Sequence, residues 1–202
     1  MTKQEIFILN RALDGSQIYG MPEFEKMHLS ELLIDTYKDG MINRGLLADK
    51  ANLTEHGADV VSRIRDYKAS KCFVSVNNLT IGKSDKGKNV SLIYNPLFDE
   101  YKFTRIDLPE DCSVIFDAYP FINEVEETEK SEVGHFSEKE IKQKCVELNA
   151  KNSLIIKKNG DVEKSYTVYI RDKKAFMYVS KTGCLYSIGR NELKNIMKEE
   201  LS

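Results

Sequence analysis

Three histidines and four cysteines are the side chains in this sequence best suited to metal binding or nucleophilic catalysis. They are His28, His56, His135, Cys72, Cys112, Cys145 and Cys184. No histidine has a second histidine or cysteine three or four residues away, and no two cysteines form a CxxC pair, so the spacing of a metal site is missing. The pattern predicts surface or capping histidines, reduced and mostly buried cysteines, no metal and no cofactor. A cysteine–histidine nucleophile stays open, because such partners can be far apart in sequence.

Motifs of acyl transfer and nucleotide binding do not occur in the sequence. It contains no G-x-S-x-G elbow and no G-x-G-x-x-G fingerprint. Gly82-Lys83-Ser84 matches the end of a phosphate-binding loop, but Asn77 stands where the first glycine of that motif belongs. The acidic loop at 107–111 surrounds a proline, which is typical of a solvated turn. These observations predict that the chain is not an enzyme.

A helix predicted to begin after Thr54 and to end near Tyr67 carries a basic face that could contact phosphates. Its cations are Arg63, Arg65 and Lys68, and Asp59 and Asp66 on the same helix reduce their net charge. The whole chain has 30 basic and 32 acidic residues, a net charge of −2, so no overall field attracts nucleic acid or an anionic membrane. The sequence therefore favours a solvated helix face over a nucleic-acid interface.

Length and composition are those of an ordinary globular protein. The 202 residues are 41% hydrophobic and 31% charged, enough for one large domain or two small ones. No run approaches the roughly 18 apolar residues that a membrane-spanning helix needs. The N-terminal segment lacks the basic and apolar regions of a signal peptide. We expect a cytoplasmic protein without membrane insertion.

Helical periodicity dominates residues 1–70. A capping box at Thr2 predicts a helix that ends at Leu13, and a second helix is expected over Met27–Lys38. Thr54 is a suitable N-cap for a third helix that ends near Tyr67. This order of short helices resembles the core of winged-helix domains.

From Cys72 the hydrophobic period falls to two, which predicts strands. A first β block over 71–122 holds four expected strands: Cys72–Ile81, Val90–Tyr94, Tyr101–Ile106 and Cys112–Tyr119. The acidic stretch Glu124–Glu132 predicts a mobile linker at 123–136.

A second αβ block is expected over 137–202. A capping box predicts a helix over Ser137–Asn149, and strands at 154–156, 166–170, 175–179 and 185–188 precede a closing helix over Asn191–Leu201. The predicted fold is α+β: a largely antiparallel sheet of two β-rich blocks, packed with N-terminal, middle and C-terminal helices in one compact domain.

The hairpin of the second block carries apolar side chains on both faces of its strands. We expect the chain's own helices to cover one face and a protein partner to cover the other. The residues nominated for that partner are Tyr166, Val168, Tyr169, Phe176, Met177, Tyr178 and Tyr186.

The layout of the chain resembles the EspG-like chaperones of type VII secretion, in particular their shorter Gram-positive relatives of the EsaE kind. The matching features are the capped helix Thr2–Leu13, the segment Gly45-Leu46-Leu47…Leu53-Thr54-x-x-Gly57, the β region from Cys72, the interrupting helix Ser137–Asn149 and the helix Asn191–Leu201. The resemblance implies a cytosolic adaptor that masks the apolar tip of a small helical-hairpin secretion substrate of the WXG type.

Other classes of protein stay open at this stage. A transcriptional regulator would bind DNA through the winged-helix-like residues 1–70, with a salt dependence that falls when Arg63 and Arg65 are replaced. An immunity protein would form a similarly tight complex with a toxin, and an enzyme would have a concave site of titratable groups.

Overall fold

Six helices and nine strands make up the part of the chain that the structure, a computed structural model, describes: residues 1–24, 27–84, 89–107, 113–147, 153–159 and 163–201. The helices are α1 Lys3–Arg11, α2 Glu31–Asn43, α3 Glu55–Lys68, α4 Ser113–Ala118, α5 Glu138–Glu147 and α6 Arg190–Leu201. The strands are β1 Cys72–Val76, β2 Leu79–Lys83, β3 Asn89–Asn95, β4 Glu100–Ile106, β5 Ser131–His135, β6 Ser153–Asn159, β7 Lys164–Arg171, β8 Lys174–Val179 and β9 Cys184–Ile188. Every pairing between named strands is antiparallel, so the predicted α+β class is confirmed.

Contacts divide the chain into two compact units. The N-terminal unit comprises Met1–Lys71 and Asn78–Ile106, and the C-terminal unit comprises Cys72–Asn77 and Asp107–Ser202. This division differs from the predicted boundaries, because β1 belongs with the C-terminal strands. A single compact domain stays a prediction.

The N-terminal unit packs α1, α2 and α3 with three strands in the order β2–β3–β4. The register places Leu92 opposite Phe103, and α3 lies on these strands through Ile64 and Tyr67, both fully buried. The ring of Tyr67 meets that of Phe103 edge to face at 5.4 Å. The apolar stripe of α3 therefore supplies the core of this unit.

Local capping decides where the first three helices begin. The predicted caps Thr2 and Thr54 accept from the amides of Glu5 and Gly57. Helix α2 begins four residues later than expected, because the Ser30 side chain accepts from the amide of Leu33. It also continues past the predicted end at Lys38 and ends instead before Gly45, whose φ of 70° suits only glycine well.

Two strand predictions in the first β block are wrong. The single strand expected over Cys72–Ile81 is two strands, because the chain turns at Asn77, where φ is 52°. The strand expected over Cys112–Tyr119 is the short helix α4, and Cys112 itself lies outside the described residues. Ile115 and Tyr119 are four residues apart and both buried, which is the period of a helix.

The C-terminal unit orders its strands β1–β6–β7–β8–β9–β5. Asp172 and Lys173, both at positive φ, make the tight turn predicted between β7 and β8. Ser137 caps α5 as expected, through reciprocal hydrogen bonds with Glu140. Residues 148 and 149 of the predicted helix lie outside the described residues.

The acidic segment assigned to a linker also contains structure. Its end forms strand β5, Ser131–His135, paired with β9. The preceding residues form a 3₁₀ turn, Pro120–Glu124, that buries Ile122. The strand escaped prediction because its side chains are mostly exposed and its hydrophobic alternation is absent.

Among the described residues, the helices are all too short or too polar to cross a bilayer.

Candidate partner-binding surface

The hairpin nominated for a partner lies largely inside the C-terminal unit. Four of its seven candidate residues are 6% exposed or less: Val168, Tyr169, Met177 and Tyr178. Tyr166, Phe176 and Tyr186 are half-buried. Residues as buried as the first four are not available to another protein in this conformation.

Helix α5 covers one face of this hairpin. Its buried Ile141 packs in one cluster with Tyr169, Tyr178 and Leu185. The Tyr169 ring also stacks on Phe176, with 5.1 Å between ring centroids. The apolar stripe on this face is therefore satisfied within the chain.

Helix α6 covers the opposite face. The buried carboxylate of Glu200 accepts hydrogen bonds from Tyr166 Oη at 3.0 Å and from Lys164 Nζ at 2.8 Å. Its second oxygen lies 3.4 Å from Lys158 Nζ, an ion pair without a hydrogen bond. Burial raises the pKa of Glu200, but the hydrogen bonds from Lys164 and Tyr166 outweigh it and leave the pKa below its ordinary value.

The expectation that a partner covers one face of the hairpin stays a prediction, and the described contacts place helices of the same unit on both faces. Tyr166, Met177 and Tyr186 line a cleft of about 370 Å³ beside α6, and a binding role for them stays a prediction. Sequence alternation predicted that both faces are covered, but it does not say by what.

Helix α2 of the N-terminal unit, in contrast to the hairpin, leaves apolar side chains exposed. Met41 is its single buried residue, although the helix begins with the apolar run Leu32-Leu33-Ile34. Leu32 is 78% exposed, Leu33 is 47% exposed and Ile34 is half-buried. Isolated exposed leucines are common, but three consecutive apolar residues on one under-packed helix form a patch that an interaction would cover.

Beside this patch lies an apolar groove of about 540 Å³, which we call the α1–α2 groove. Helix α1 contributes Ile8, Leu9 and Arg11, and its C-cap contributes Ala12. Helix α2 contributes Ile34, Lys38 and Met41, and the following loop contributes Leu47, Lys50, Ala51 and Leu53. Leu9, Met41 and Leu47 are buried and form its floor. The lining is apolar apart from Arg11, Lys38 and Lys50, so its character suits the binding of an apolar partner with acidic groups at its edge.

The segment from Gly45 to Gly57 shapes the floor of the groove. Thr54 Oγ1 donates to the carbonyl of Gly45 at 2.6 Å and accepts from the amide of Gly57 at 3.0 Å. A Cβ at Gly57 would lie 1.9 Å from the Leu46 carbonyl oxygen, closer than any real contact. An isolated bridge then pairs Leu47 with Leu53. The motif quoted from the sequence is thus a device that holds α3 against the loop lining the groove.

Positive charge borders the groove. Lys50 Nζ lies 3.2 Å from Asp35 and 3.6 Å from Asp39, and the Asp35 carboxylate raises the pKa of Lys50. Arg11 and Lys38 have no ion-pair partner within the part of the chain that the structure describes. Two cations at the rim therefore stay available to acidic groups of a ligand.

The basic face of α3 is engaged within its own unit. Arg63 pairs with Asp59 and donates to the Phe103 carbonyl at 3.1 Å, while Lys68 pairs with Asp14. Arg65 donates to a serine hydroxyl. Two of the three cations that could have met phosphates are therefore neutralised by neighbouring carboxylates.

The other candidate positions lie apart from the groove. Gly82 and Lys83 belong to strand β2 and not to a helix N-terminus, which agrees with rejecting the phosphate-loop motif. His28 and His56 are exposed. Most of the acidic loop at 107–111 lies outside the described residues.

The fold and the groove define an α+β protein with a candidate binding surface in its N-terminal unit. The chain belongs to the family described as a domain of unknown function, DUF5081, whose model matches residues 1–195. No curated protein and no solved structure matches the chain.

Proposed function

We propose that the chain is a cytoplasmic binding protein, a chaperone or adaptor of type VII secretion, that holds an amphipathic helix of a helical-hairpin substrate in the α1–α2 groove. The observation that carries this proposal is the uncovered apolar run Leu32-Leu33-Ile34 beside a groove of matching character. The secretion role rests on the resemblance of the sequence layout to EspG-like and EsaE-type chaperones.

A helix is the partner element that best matches the groove. Ile34, Lys38 and Met41 recur at i, i+4 and i+7 along α2, and Ile8 of α1 and its C-cap Ala12 are four residues apart. A groove between two such ridges can receive the ridge of a third helix, as in helix-in-groove recognition. The partner helix would present apolar residues with the same spacing.

Charge at the rim adds a requirement on the partner. Arg11 and Lys38 flank the apolar floor, so acidic residues beside the apolar stripe of the partner would pair with them. Lys50 is already paired with Asp35 and contributes less. An apolar stripe gives the affinity, and the rim fixes orientation and association rate.

Masking follows from mass action. An exposed apolar end of a helical hairpin self-associates, and a chaperone that binds it lowers the concentration of the free, aggregating form. No turnover is required, which agrees with a groove lined by apolar and basic side chains.

The test compares two pairs of exposed apolar residues in the same unit. A small helical protein that co-purifies from the native cytosol would be isolated, its helicity checked by circular dichroism, and its affinity measured by calorimetry. The double variant Leu32→Asp/Leu33→Asp should weaken binding by about tenfold or more, about 1.4 kcal/mol. The control Leu97→Asp/Phe98→Asp, at residues 87% and 72% exposed, should leave binding unchanged.

Other outcomes overturn the proposal. Equal affinity of both double variants would mean that the partner does not dock on Leu32 and Leu33. A toxin domain as the stoichiometric partner would replace the secretion role with immunity. Co-purification of DNA alone, with a salt dependence reduced by Arg65→Ala, would favour the regulator.

A further inference from the structure

Three metal-ligating side chains converge at the β5–β9 edge of the C-terminal unit. Cys184 Sγ lies 3.6 Å from His135 Nδ1 and 3.7 Å from Nε2, and Glu132 Oε1 lies 3.5 Å from His135 Nε2. The ligand atoms all lie within 4.8 Å of one another. Cys184 is buried, whereas the side chains of His135 and Glu132 are 68% and 52% exposed.

A β-bulge brings these ligands together. Residues three apart on a regular strand point to opposite faces, so Glu132 and His135 should diverge. The pairing of β5 with β9 shifts register between Glu132 and Gly134. The extra residue of this bulge brings the side chains of Glu132 and His135 to the same face of the strand. Gly134 has a φ of 149°, a conformation that side-chain-bearing residues rarely adopt. His135 is then the direct neighbour of Cys184.

The separations of His135 Nε2 from Cys184 Sγ, 3.7 Å, and from Glu132 Oε1, 3.5 Å, are close to the edges of a metal coordination tetrahedron. With a Zn–S bond of about 2.3 Å and Zn–N and Zn–O bonds of about 2.1 Å, tetrahedral edges are roughly 3.4 to 3.6 Å. The Glu132–His135 separation is too long for an N–H···O hydrogen bond, which spans about 2.7–3.2 Å. Geometry therefore favours a shared cation over a hydrogen-bonded cysteine–histidine–carboxylate nucleophile.

We propose that Glu132, His135 and Cys184 bind a zinc-like divalent cation, with a fourth coordination position open to solvent or to a further ligand. A thiolate, an imidazole and a carboxylate together suit Zn²⁺ and Co²⁺, whereas Mg²⁺ and Ca²⁺ take oxygen ligands. Cys184 binds as the thiolate, and its proton passes to solvent on binding.

The cation would link strand β5, at the edge of this unit, to strand β9. Strand β5 is the last strand in its order and is mostly exposed, and two of the ligands lie on it. A metal that joins β5 to Cys184 on β9 binds the folded chain and not the unfolded one, so it raises the stability of this edge.

Titration of the metal-free full-length protein with Co²⁺ tests the site directly. A sulfur-to-cobalt charge-transfer band should appear and saturate at one equivalent, and Zn²⁺ should displace it. The band should vanish in Cys184→Ser. His135→Ala and Glu132→Gln, which alter exposed side chains and should fold, should weaken binding by about tenfold or more.

Two control variants assign the band to this site. Cys145→Ser and Cys72→Ser, at the other free cysteines among the described residues, should keep the full band. A thermal shift with Zn²⁺ but not with Mg²⁺ should accompany binding in the wild-type protein. No band at excess Co²⁺, or a band that survives in Cys184→Ser or is unaltered in both His135→Ala and Glu132→Gln, would overturn the proposal.

Discussion

Helix α2 and the β7–β8 hairpin both carry runs of apolar side chains, but those of the hairpin are mostly buried and those at the start of α2 are exposed. The hairpin packs α5 on one face and α6 on the other, so that Val168 and Tyr169 are interior. Helix α2 buries Met41 and leaves Leu32 and Leu33 exposed. An apolar side chain must be covered to contribute to stability, and among the described residues nothing covers most of Leu32.

The comparison separates stability from recognition. Replacing hairpin residues should unfold the protein, whereas replacing the α2 run should change binding while the fold stays intact. Variants in the two regions, ranked by their effect on the free energy of unfolding, test that separation.

The largest loss of stability is expected from Val168→Asp. Val168 is 0% exposed at the centre of its sheet, and a carboxylate there would be buried without a partner. We expect a loss of about 4 kcal/mol or more in urea denaturation, or no folded protein. Leu9→Asp, in the floor of the α1–α2 groove at 3% exposure, should cause a similar loss of stability. Unchanged thermal stability in both variants would contradict these core assignments.

Gly57→Ala should have the next largest effect. The added methyl would collide with the backbone carbonyl of Leu46, so the loop beneath the groove must move. We expect a loss of up to about 3 kcal/mol, as for an overpacked core. Gly40→Ala is the matched control, because nothing lies within 4 Å of its Cβ position in α2 and it should stabilise slightly. Equal effects of the two alanines would contradict the role given to Gly57.

Glu200→Gln should cost about 2 kcal/mol at pH 7, since it weakens the charged hydrogen bonds from Lys164 and Tyr166 that hold α6 to the sheet. The folded pKa of Glu200 lies below its unfolded value of about 4.3. Its contribution is therefore complete above that value and lost as pH falls through the folded pKa. Urea denaturation of the wild-type protein and of Glu200→Gln should show that their difference in free energy of unfolding becomes smaller in acid. A difference that grows in acid would contradict this account.

The smallest effect on stability is expected from Leu32→Asp. Leu32 is 78% exposed and touches little of its own chain, so unfolding should change by no more than about 0.5 kcal/mol in urea denaturation. A large loss would mean that Leu32 is covered within the protein and would remove the contrast with Val168.

Periodicity and capping predicted most of the elements but not what covers them. Thr2, Thr54 and Ser137 mark helix starts through local hydrogen bonds, so those starts were readable from the sequence. The turn at Asn77 and helix α4 were missed, because a short apolar run fits a strand or a helix equally well.

The candidate sites depended on contacts between distant residues. The burial of Tyr178 comes from α5, and the approach of His135 to Cys184 comes from a bulge in a polar strand. Neither contact leaves a local pattern, since one involves packing of a helix on a sheet and the other a shift of strand register. The alternation of the hairpin therefore indicated covered faces but not which helices cover them.

One measurement addresses the central claim, that the uncovered run of α2 is a docking surface. It is the calorimetric affinity of the purified helical partner for the wild-type protein and for Leu32→Asp/Leu33→Asp, with Leu97→Asp/Phe98→Asp as the control and circular dichroism to confirm that each is folded. The account predicts a loss of about tenfold or more for the α2 variant alone. A folded α2 variant with wild-type affinity would contradict it.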